Sequence, residues 1–121
     1  MSCFLAFCLI LVTAAAQAGQ FPVKAAYGTA VACAAFADGG IEAVEAGQDV
    51  SALLVTPDDL AAPGLRCPGD KAEIKGAQVK TVCTLGEDEP FTLAAVIEEN
   101  DADRTVKYSS ATGTIILRRC S

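Results

Sequence analysis

Hydrophobic and polar positions follow three different patterns along the chain. The first is a continuous apolar run from Phe4 to Val12, followed by small residues up to Ala18. The second is an alanine-rich segment, residues 26–38, that is apolar on nearly every side. The third begins at residue 65, and from residue 78 apolar and polar residues alternate with the period of two that half-buried strands have. In order, the three patterns predict a leader, a helix and a set of strands.

The leader has the residue order of a secretory signal, an apolar core followed by an A-x-A cleavage site. Residues 16–18 (Ala-Gln-Ala) place cleavage before Gly19, and residues 14–16 (three alanines) are a second possible site. The Lys or Arg that usually precedes the apolar core is missing. An uncleaved membrane anchor is the alternative, but the apolar run is only half as long as the ~20 residues that a spanning helix needs. We therefore predict a signal peptide at residues 1–18 and one small exported domain, periplasmic or secreted, at residues 19–121.

The alanine-rich segment predicts a helix, because alanine has the highest helix propensity. Thr29 can cap this helix, and Gly39 and Gly40 can end it. Since the segment is apolar all round, we expect it to be buried against a sheet. Further along, residues 51–56 predict a strand. The Thr-Pro-Asp-Asp sequence that starts at Thr56 has the residue order of a helix N-terminus and predicts a second short helix.

The alternating part of the chain contains four strand-like runs separated by turn residues. The runs are residues 78–85, 91–97, 104–109 and 114–120. Successive strands joined by short turns predict an antiparallel meander with one face against the helix and the other facing water. The expected fold class is α+β, an N-terminal Ala-rich helix packed on an antiparallel β-meander of about four to five strands, with a second short helix. Phe36 and Phe91 are expected in its core.

The six cysteines fall into two groups. Cys3 and Cys8 lie in the predicted signal peptide. The other four are Cys33, Cys67, Cys83 and Cys120, an even number that suits an oxidising compartment. None of them forms a C-x-x-C pair, which disfavours a thiol redox site or a zinc site. Of the three possible connectivities we favour Cys67–Cys83, which closes a local unit, with Cys33–Cys120, which ties the helix to the last strand.

Candidate chemistry is limited, because the chain has no histidine. The commonest general base is missing, and Ser-His-Asp or Cys-His catalysis is impossible. Two pairs of adjacent carboxylates, Asp58-Asp59 and Glu98-Glu99, point different ways in regular structure and so do not form a dyad. We predict no catalytic residue, no metal site and no cofactor. The alternative is a small carboxylate- or calcium-dependent hydrolase, although the acidic residues 100–103 lack the glycine and glutamate of an EF-hand loop.

The charge of the chain is negative, with 15 acidic residues, 9 basic residues and a net charge of −6. Nucleic acid and anionic membranes are disfavoured as partners, because both require basic patches. The acidic residues of two predicted turns would form one rim if both turns lay at the same end of the meander. These residues are Glu87, Asp88, Glu89, Asp101 and Asp103. We expect a non-enzymatic binding or accessory protein with a basic protein as partner, and inhibitors of secreted hydrolases are one such class.

Overall fold

The computed structural model describes residues 20–121. The predicted signal peptide, residues 1–18, lies outside this part of the chain. No helix within residues 20–121 has the length and apolarity needed to cross a membrane.

One helix and nine strands follow one another along the described chain. Their order is β1 (Tyr27–Gly28), α1 (Ala30–Glu45), β2 (Leu54–Val55), β3 (Asp59–Ala62), β4 (Leu65–Pro68), a 3-10 turn (Gly69–Lys71), β5 (Glu73–Lys75), β6 (Gln78–Leu85), β7 (Phe91–Asn100), β8 (Thr105–Ser110) and β9 (Gly113–Arg119). The strand order in the sheet is β4-β3-β2-β1-β9-β8-β7-β6-β5, and β4 also pairs with β6. This additional pairing closes eight strands into an antiparallel barrel, and β5 covers the remaining edge of β6.

The predicted α+β fold, a helix on an open meander of four to five strands, is therefore wrong. The four predicted strands exist as β6 to β9. The error lies in residues 54–68, which form β2, β3 and β4 and complete the barrel wall. These strands are two to four residues long, too short to display an alternating pattern.

The core lies inside the barrel, because alternate residues of each strand point inward. The largest fully buried side chains that line it are Tyr27, Val55, Leu60, Cys67, Cys83, Ile97, Val106 and Leu117. The chain before β1 adds Phe21 and Val23 to the same core. The interior is thus filled by side chains contributed from every part of the wall.

Helix α1 lies outside the barrel, which corrects the prediction that it is buried. Only Ala32 and Val44 of its residues are buried, and Val31 is 48% exposed. The helix packs on β2 and β3 through a smaller apolar cluster that includes Phe36. Since the barrel supplies its own core, small alanine side chains are sufficient for a helix that only covers its outer face. Phe91, expected in the core, is 40% exposed at the start of β7.

The helix is capped by the predicted residue, Thr29, but it does not end at the predicted glycines. The hydroxyl of Thr29 accepts hydrogen bonds from the N–H of Ala32 at 3.4 Å and of Leu53 at 3.2 Å. Gly40 has a φ of 78°, in the left-handed region, and bends the helix there instead of ending it. The helix then continues to Glu45.

The second short helix, predicted to start at Thr56, is a tight turn. The hydroxyl of Thr56 accepts hydrogen bonds from the N–H of Asp58 at 3.2 Å and of Asp59 at 3.0 Å, as a helix cap would. The N–H of Thr56 bonds back to the carbonyl of Asp59 at 2.8 Å, and the chain continues as β3. Thr, Pro and Asp serve both structures, since side-chain-capped turns and helix N-termini use the same hydrogen bonds. The burial of Leu60 and Ala61 in the sheet decides between them.

The two ends of the barrel carry different parts of the chain. The lower end holds residues 20–26 and the turns at residues 56–58 and 101–104, and the N–H of Phe21 bonds to the carbonyl of Pro57 at 2.9 Å. The upper end holds the turns at residues 63–64, 86–90 and 111–112.

Candidate functional site

A disulfide closes the barrel wall between β4 and β6. The ladder between these strands has only two residue pairs, of which Arg66–Thr84 is one. At the next position Cys67 and Cys83 form a disulfide, with their Cα atoms 4.2 Å apart, and both are fully buried. The bridge therefore lies inside the barrel and extends a very short ladder.

The second disulfide, Cys33–Cys120, lies beside the equally short ladder between β1 and β9. That ladder ends at the Arg119–Tyr27 pair, and Cys120 follows directly. Cys33 stands on helix α1, so the bridge connects the helix to the end of β9. Both bridges are the pairs that the cysteine spacing favours, and together they are consistent with an oxidising extracellular compartment.

The structure does not bring the two acidic turns together. Glu87, Asp88 and Glu89 lie in the β6–β7 turn at the upper end of the barrel. Asp101 and Asp103 lie in the β7–β8 turn at the lower end. The whole of β7 separates them, because consecutive turns of a meander lie at opposite ends. The predicted rim is therefore split into two surfaces.

The upper acidic turn instead lies beside the C-terminal end of helix α1. The carbonyl of Glu45 accepts a hydrogen bond from the N–H of Gly64 at 2.8 Å, and the carbonyl of Gly64 accepts one from the N–H of Gly86 at 2.8 Å. Two backbone hydrogen bonds thus connect the helix end to the turn. We call Glu42, Glu45, Glu87, Asp88 and Glu89 the acidic surface.

Within residues 20–121, Arg66 is the only cation that forms an ion pair with a residue of the acidic surface. Its guanidinium lies 3.2 Å from the Glu45 carboxylate and 2.9 Å from that of Asp59. Sequence reasoning missed the part that the helix contributes, because the sequence predicts that the helix ends at Gly39 and Gly40. The signal that was available is the i, i+3 spacing of Glu42 and Glu45, which places both on one helix face.

The carboxylates at the lower end hold the N-terminal segment. Asp101 lies 3.0 Å from the Lys24 ammonium and 3.5 Å from the Arg119 guanidinium. The hydrogen bond from Lys24 lowers the pKa of Asp101 below its usual value. Asp103 bonds to the side chain of Asn100, which closes the turn. Over residues 20–121, no group of three or more His, Cys, Asp or Glu residues is placed to hold a metal ion.

The two adjacent carboxylate pairs are divided between different environments. Glu99 points inward, accepting a hydrogen bond from the Tyr27 hydroxyl at 2.5 Å, while Glu98 lies opposite Lys107 on the outer face. Burial raises the pKa of Tyr27, and the hydrogen bond to Glu99 adds to this effect. Asp59 is bound by Arg66, and its neighbour Asp58 is exposed in the turn. Both Glu98 and Glu99 nevertheless line one open pocket of about 660 Å³, together with Asp101, Asp103 and Lys107.

A shallow groove of about 540 Å³ crosses the outer face of β5 to β8. Its floor includes Ala94 and Val96, and Lys75 and Lys80 stand at its border. Glu73 lies directly opposite Lys80 in the β5–β6 ladder, so the border carries both signs of charge. The groove therefore offers no charge preference that would select a ligand.

The molecule thus combines a filled interior, disulfides at two of the four shortest ladders of the wall, and carboxylates that gather at one end of the helix. Among known proteins, neither a family model nor a curated protein nor a solved structure matches this chain. Its function has to be inferred from the geometry of its own residues.

Proposed function

We propose that the chain is an exported, non-enzymatic binding domain whose acidic surface binds a basic protein. A basic secreted hydrolase, such as a lysozyme, is the partner class that fits this charge and compartment best. The observation that carries the proposal is the junction of the β6–β7 turn with the end of helix α1, through the two hydrogen bonds of Gly64.

The charge balance of this junction supports the proposal. Glu42 and residues 87–89 are all exposed, and no ion pair within residues 20–121 involves them. Arg66 is the nearby cation, and Glu45 and Asp59 already bind it. Exposed charges of one sign attract an oppositely charged protein and set its orientation, with an effect that salt weakens.

Binding fits the remaining carboxylates better than catalysis does. A carboxylate enzyme needs two groups that converge on one cleft and differ in environment. The carboxylates of Asp59, Glu99 and Asp101 are instead held by Arg66, Tyr27 and Lys24 respectively. These contacts hold the fold together and leave these three carboxylates already paired.

The compartment that we propose is the periplasm or the extracellular medium. Two disulfides can persist there, whereas cytosolic reductants keep thiols reduced. Expression of the full chain in an exporting host should yield a protein whose intact mass corresponds to residues 19–121 with both bridges formed.

The binding experiment compares this oxidised protein with two variants of equal charge. One carries Glu87→Gln, Asp88→Asn and Glu89→Gln on the acidic surface. The control carries Asp58→Asn, Asp70→Asn and Asp103→Asn, three exposed acids away from that surface. Each is titrated against a basic lysozyme by calorimetry, and lysozyme activity is followed in parallel. We expect the first variant to bind at least about tenfold more weakly and the control to stay near the parent affinity.

Two results would contradict the proposal. Equal weakening in both variants would mean that net charge, and not the acidic surface, drives the association. A lack of binding to any basic hydrolase at low salt would remove the proposed partner class altogether.

A further inference from the structure

Several strand segments have an edge without a partner strand, and two of them lie in β9 and β7. Strand β9 pairs with β8 along its whole length, but with β1 only at Arg118 and Arg119. Strand β7 pairs with β6 from Phe91 onward, but with β8 only from Ala95. Residues 113–117 of β9 and residues 91–94 of β7 are therefore free on one side, within the part of the chain that the structure describes.

The hydrogen bonds around β9 show which of its backbone groups face the free side. The N–H of Arg119 bonds toward β8, to the carbonyl of Arg104, while the N–H of Cys120 bonds toward β1, to the carbonyl of Ala26. Because backbone groups alternate along an antiparallel strand, the N–H and C=O of Thr114 and Ile116 point away from β8. No hydrogen bond among residues 20–121 uses either N–H.

The two free edges differ in protection. Native proteins protect exposed edges with charged residues and prolines, and the β7 edge follows three acids and Pro90. The β9 edge has neither over residues 113–117. Its centre is apolar on both faces, since Ile116 is 56% exposed on the outer face and Ile115 is 37% exposed on the inner one. An edge of this kind is suited to receive another strand.

The charge around the β9 edge selects the kind of strand. Residues 104–121 contain four basic side chains and no acidic side chain, in a chain of net charge −6. Arg118 lies two residues from Ile116 on the same face, and Lys107 lies opposite Ile116 on β8. Neither takes part in an ion pair in the described chain.

Carboxylates also line the pocket that contains Ile116 and Lys107; they are Glu98, Glu99, Asp101 and Asp103. Asp101 is already paired with Lys24 and Arg119, and Glu98 stands on β7, opposite Lys107, on the side away from the free edge. Strands are spaced about 4.8 Å apart, so an added strand would lie roughly 10 Å from β8 and 14 Å from β7. With a screening length of about 8 Å in physiological salt, the closer cations dominate the field at the edge.

We propose that the edge of β9 binds an extended segment of another protein by strand addition. The segment has an apolar residue opposite Ile116 and acidic residues two positions away on the same face. Backbone hydrogen bonds to Thr114 and Ile116 supply affinity, and the acidic residues near Arg118 and Lys107 supply selectivity. No strand of the described chain has such an acidic-apolar-acidic pattern, so the occupant is a different protein and not a second copy. This surface is separate from the acidic surface.

The probe for this proposal is the blocked peptide Ser-Glu-Val-Val-Val-Glu-Ser, with a version in which both Glu are replaced by Lys. The protein variants are Ile116→Pro and the matched control Thr92→Pro. Each proline removes one N–H that faces a free edge, and each leaves the ladder on the other side of its strand intact. Affinity is measured by calorimetry, and the amide signals of Thr114 and Ile116 are followed by NMR in the parent protein.

We expect the acidic peptide to bind the parent and Thr92→Pro alike, and Ile116→Pro at least about tenfold more weakly. The Lys peptide should bind at least about tenfold more weakly than the acidic one. The amide hydrogens of Thr114 and Ile116 should become protected from exchange when the acidic peptide is added, a readout that does not depend on the folding of any variant. Equal binding of both peptides, or no protection at these two amides, would overturn the proposal. Concentration-dependent dimerisation that Ile116→Pro abolishes would also overturn it, because a second copy would then occupy the edge.

Discussion

The barrel wall consists of two halves that hold together in different ways. In the half formed by β6 to β9, each hairpin ladder contains six residue pairs. In the half formed by β1 to β4, the strands are two to four residues long. The halves meet at two seams, β1–β9 and β4–β6, and each seam is only two residue pairs long. Each seam has a disulfide at the next position, so the covalent bonds lie at two of the four ladders that have only two residue pairs.

The two seams differ in what their disulfides connect, since Cys67–Cys83 lies between two strands and Cys33–Cys120 ties helix α1 to the end of β9. Cys67–Cys83 lies in the core, is fully buried and joins residues separated by 16 positions. Cys33–Cys120 lies outside the barrel, is half-buried and joins residues separated by 87 positions. Loop entropy alone assigns about 3 kcal/mol to the short loop and about 4.6 kcal/mol to the long one. Burial makes the inner bridge the more important one instead, because only Cys67–Cys83 is also part of the packed core.

Serine replacements separate these two contributions and should give the largest effect. Cys67→Ser with Cys83→Ser removes the bridge and leaves two hydroxyls in an apolar core, which adds about 1–3 kcal/mol for each unsatisfied group. We expect this variant to lose about 6 kcal/mol of unfolding free energy. Cys33→Ser with Cys120→Ser should lose no more than the loop term of about 4.6 kcal/mol, since its hydroxyls reach water. Urea unfolding measures both losses.

The alanine versions of the same pairs are the control. At the inner seam alanine should be less damaging than serine by about 2 kcal/mol, whereas at the outer seam the two should agree within about 0.5 kcal/mol. If the unfolding free energies of the serine and alanine variants differ by the same amount at both seams, the outer bridge is as well shielded from water as the inner one. The contrast drawn between the seams would then fail.

The same division explains which strands the sequence could predict. Strands β6 to β9 are long enough for alternation to appear, and the predicted run 78–85 coincides with β6. Strands β2, β3 and β4 contain at most four residues each, and their pairing depends on distant partners. In addition, Pro63 and Gly64 form the two-residue turn between β3 and β4, with Gly64 at φ 74°, but such residues equally end a helix. Local pattern therefore could not decide barrel closure.

The sequence predicts single elements of the candidate site but not how they come together. Composition located the acidic turn at residues 87–89, and strand alternation already separated Glu98 from Glu99. The contact between that turn and helix α1 depends on Gly64, which binds Glu45 on one side and Gly86 on the other. A link made by backbone groups of three distant segments leaves no trace in side-chain patterns. The opposite placement of the two acidic turns, in contrast, follows from any meander and could have been deduced.

Gly28 tests the outer seam with a smaller change. A Cβ atom at this position would lie 2.9 Å from the Leu53 carbonyl oxygen, 3.1 Å from a Leu54 methyl group and 3.3 Å from the Cys33 sulfur. The Leu53 carbonyl also accepts the N–H of Thr29 at 3.1 Å, so it cannot move freely. We expect Gly28→Ala to lower the unfolding free energy by about 2 kcal/mol, measured in urea.

A second background shows which neighbour causes that loss. With Cys33 and Cys120 both replaced by alanine, the sulfur is gone but the Leu53 carbonyl remains. The cost of Gly28→Ala should then be nearly unchanged. If it disappears instead, the disulfide and not the backbone sets the close approach at this seam.

Tyrosine ionisation gives the smallest and most local comparison of the two halves. The chain contains two tyrosines and no tryptophan, so tyrosinate absorbance reports these two residues alone. Tyr27 lies in the outer seam opposite Arg119, and Tyr108 lies in β8 of the long-strand half. Burial is the main cause that raises the pKa of both above the ordinary value near 10. We therefore expect little tyrosinate absorbance at pH 10 in the folded protein.

The sign of the effect on stability follows from the same shifts. A raised pKa means that the folded state holds the phenol protons more tightly than the unfolded chain does. The stabilisation is therefore complete below the unfolded pKa of about 10 and is lost as pH rises through the folded values. Replacing Cys33 and Cys120 by alanine should make Tyr27 ionise closer to pH 10, while Tyr108 stays protonated, and Tyr27→Phe identifies which signal belongs to which residue. If both tyrosines shift together in that variant, the outer seam does not open by itself, and the barrel wall behaves as one cooperative unit instead of two halves.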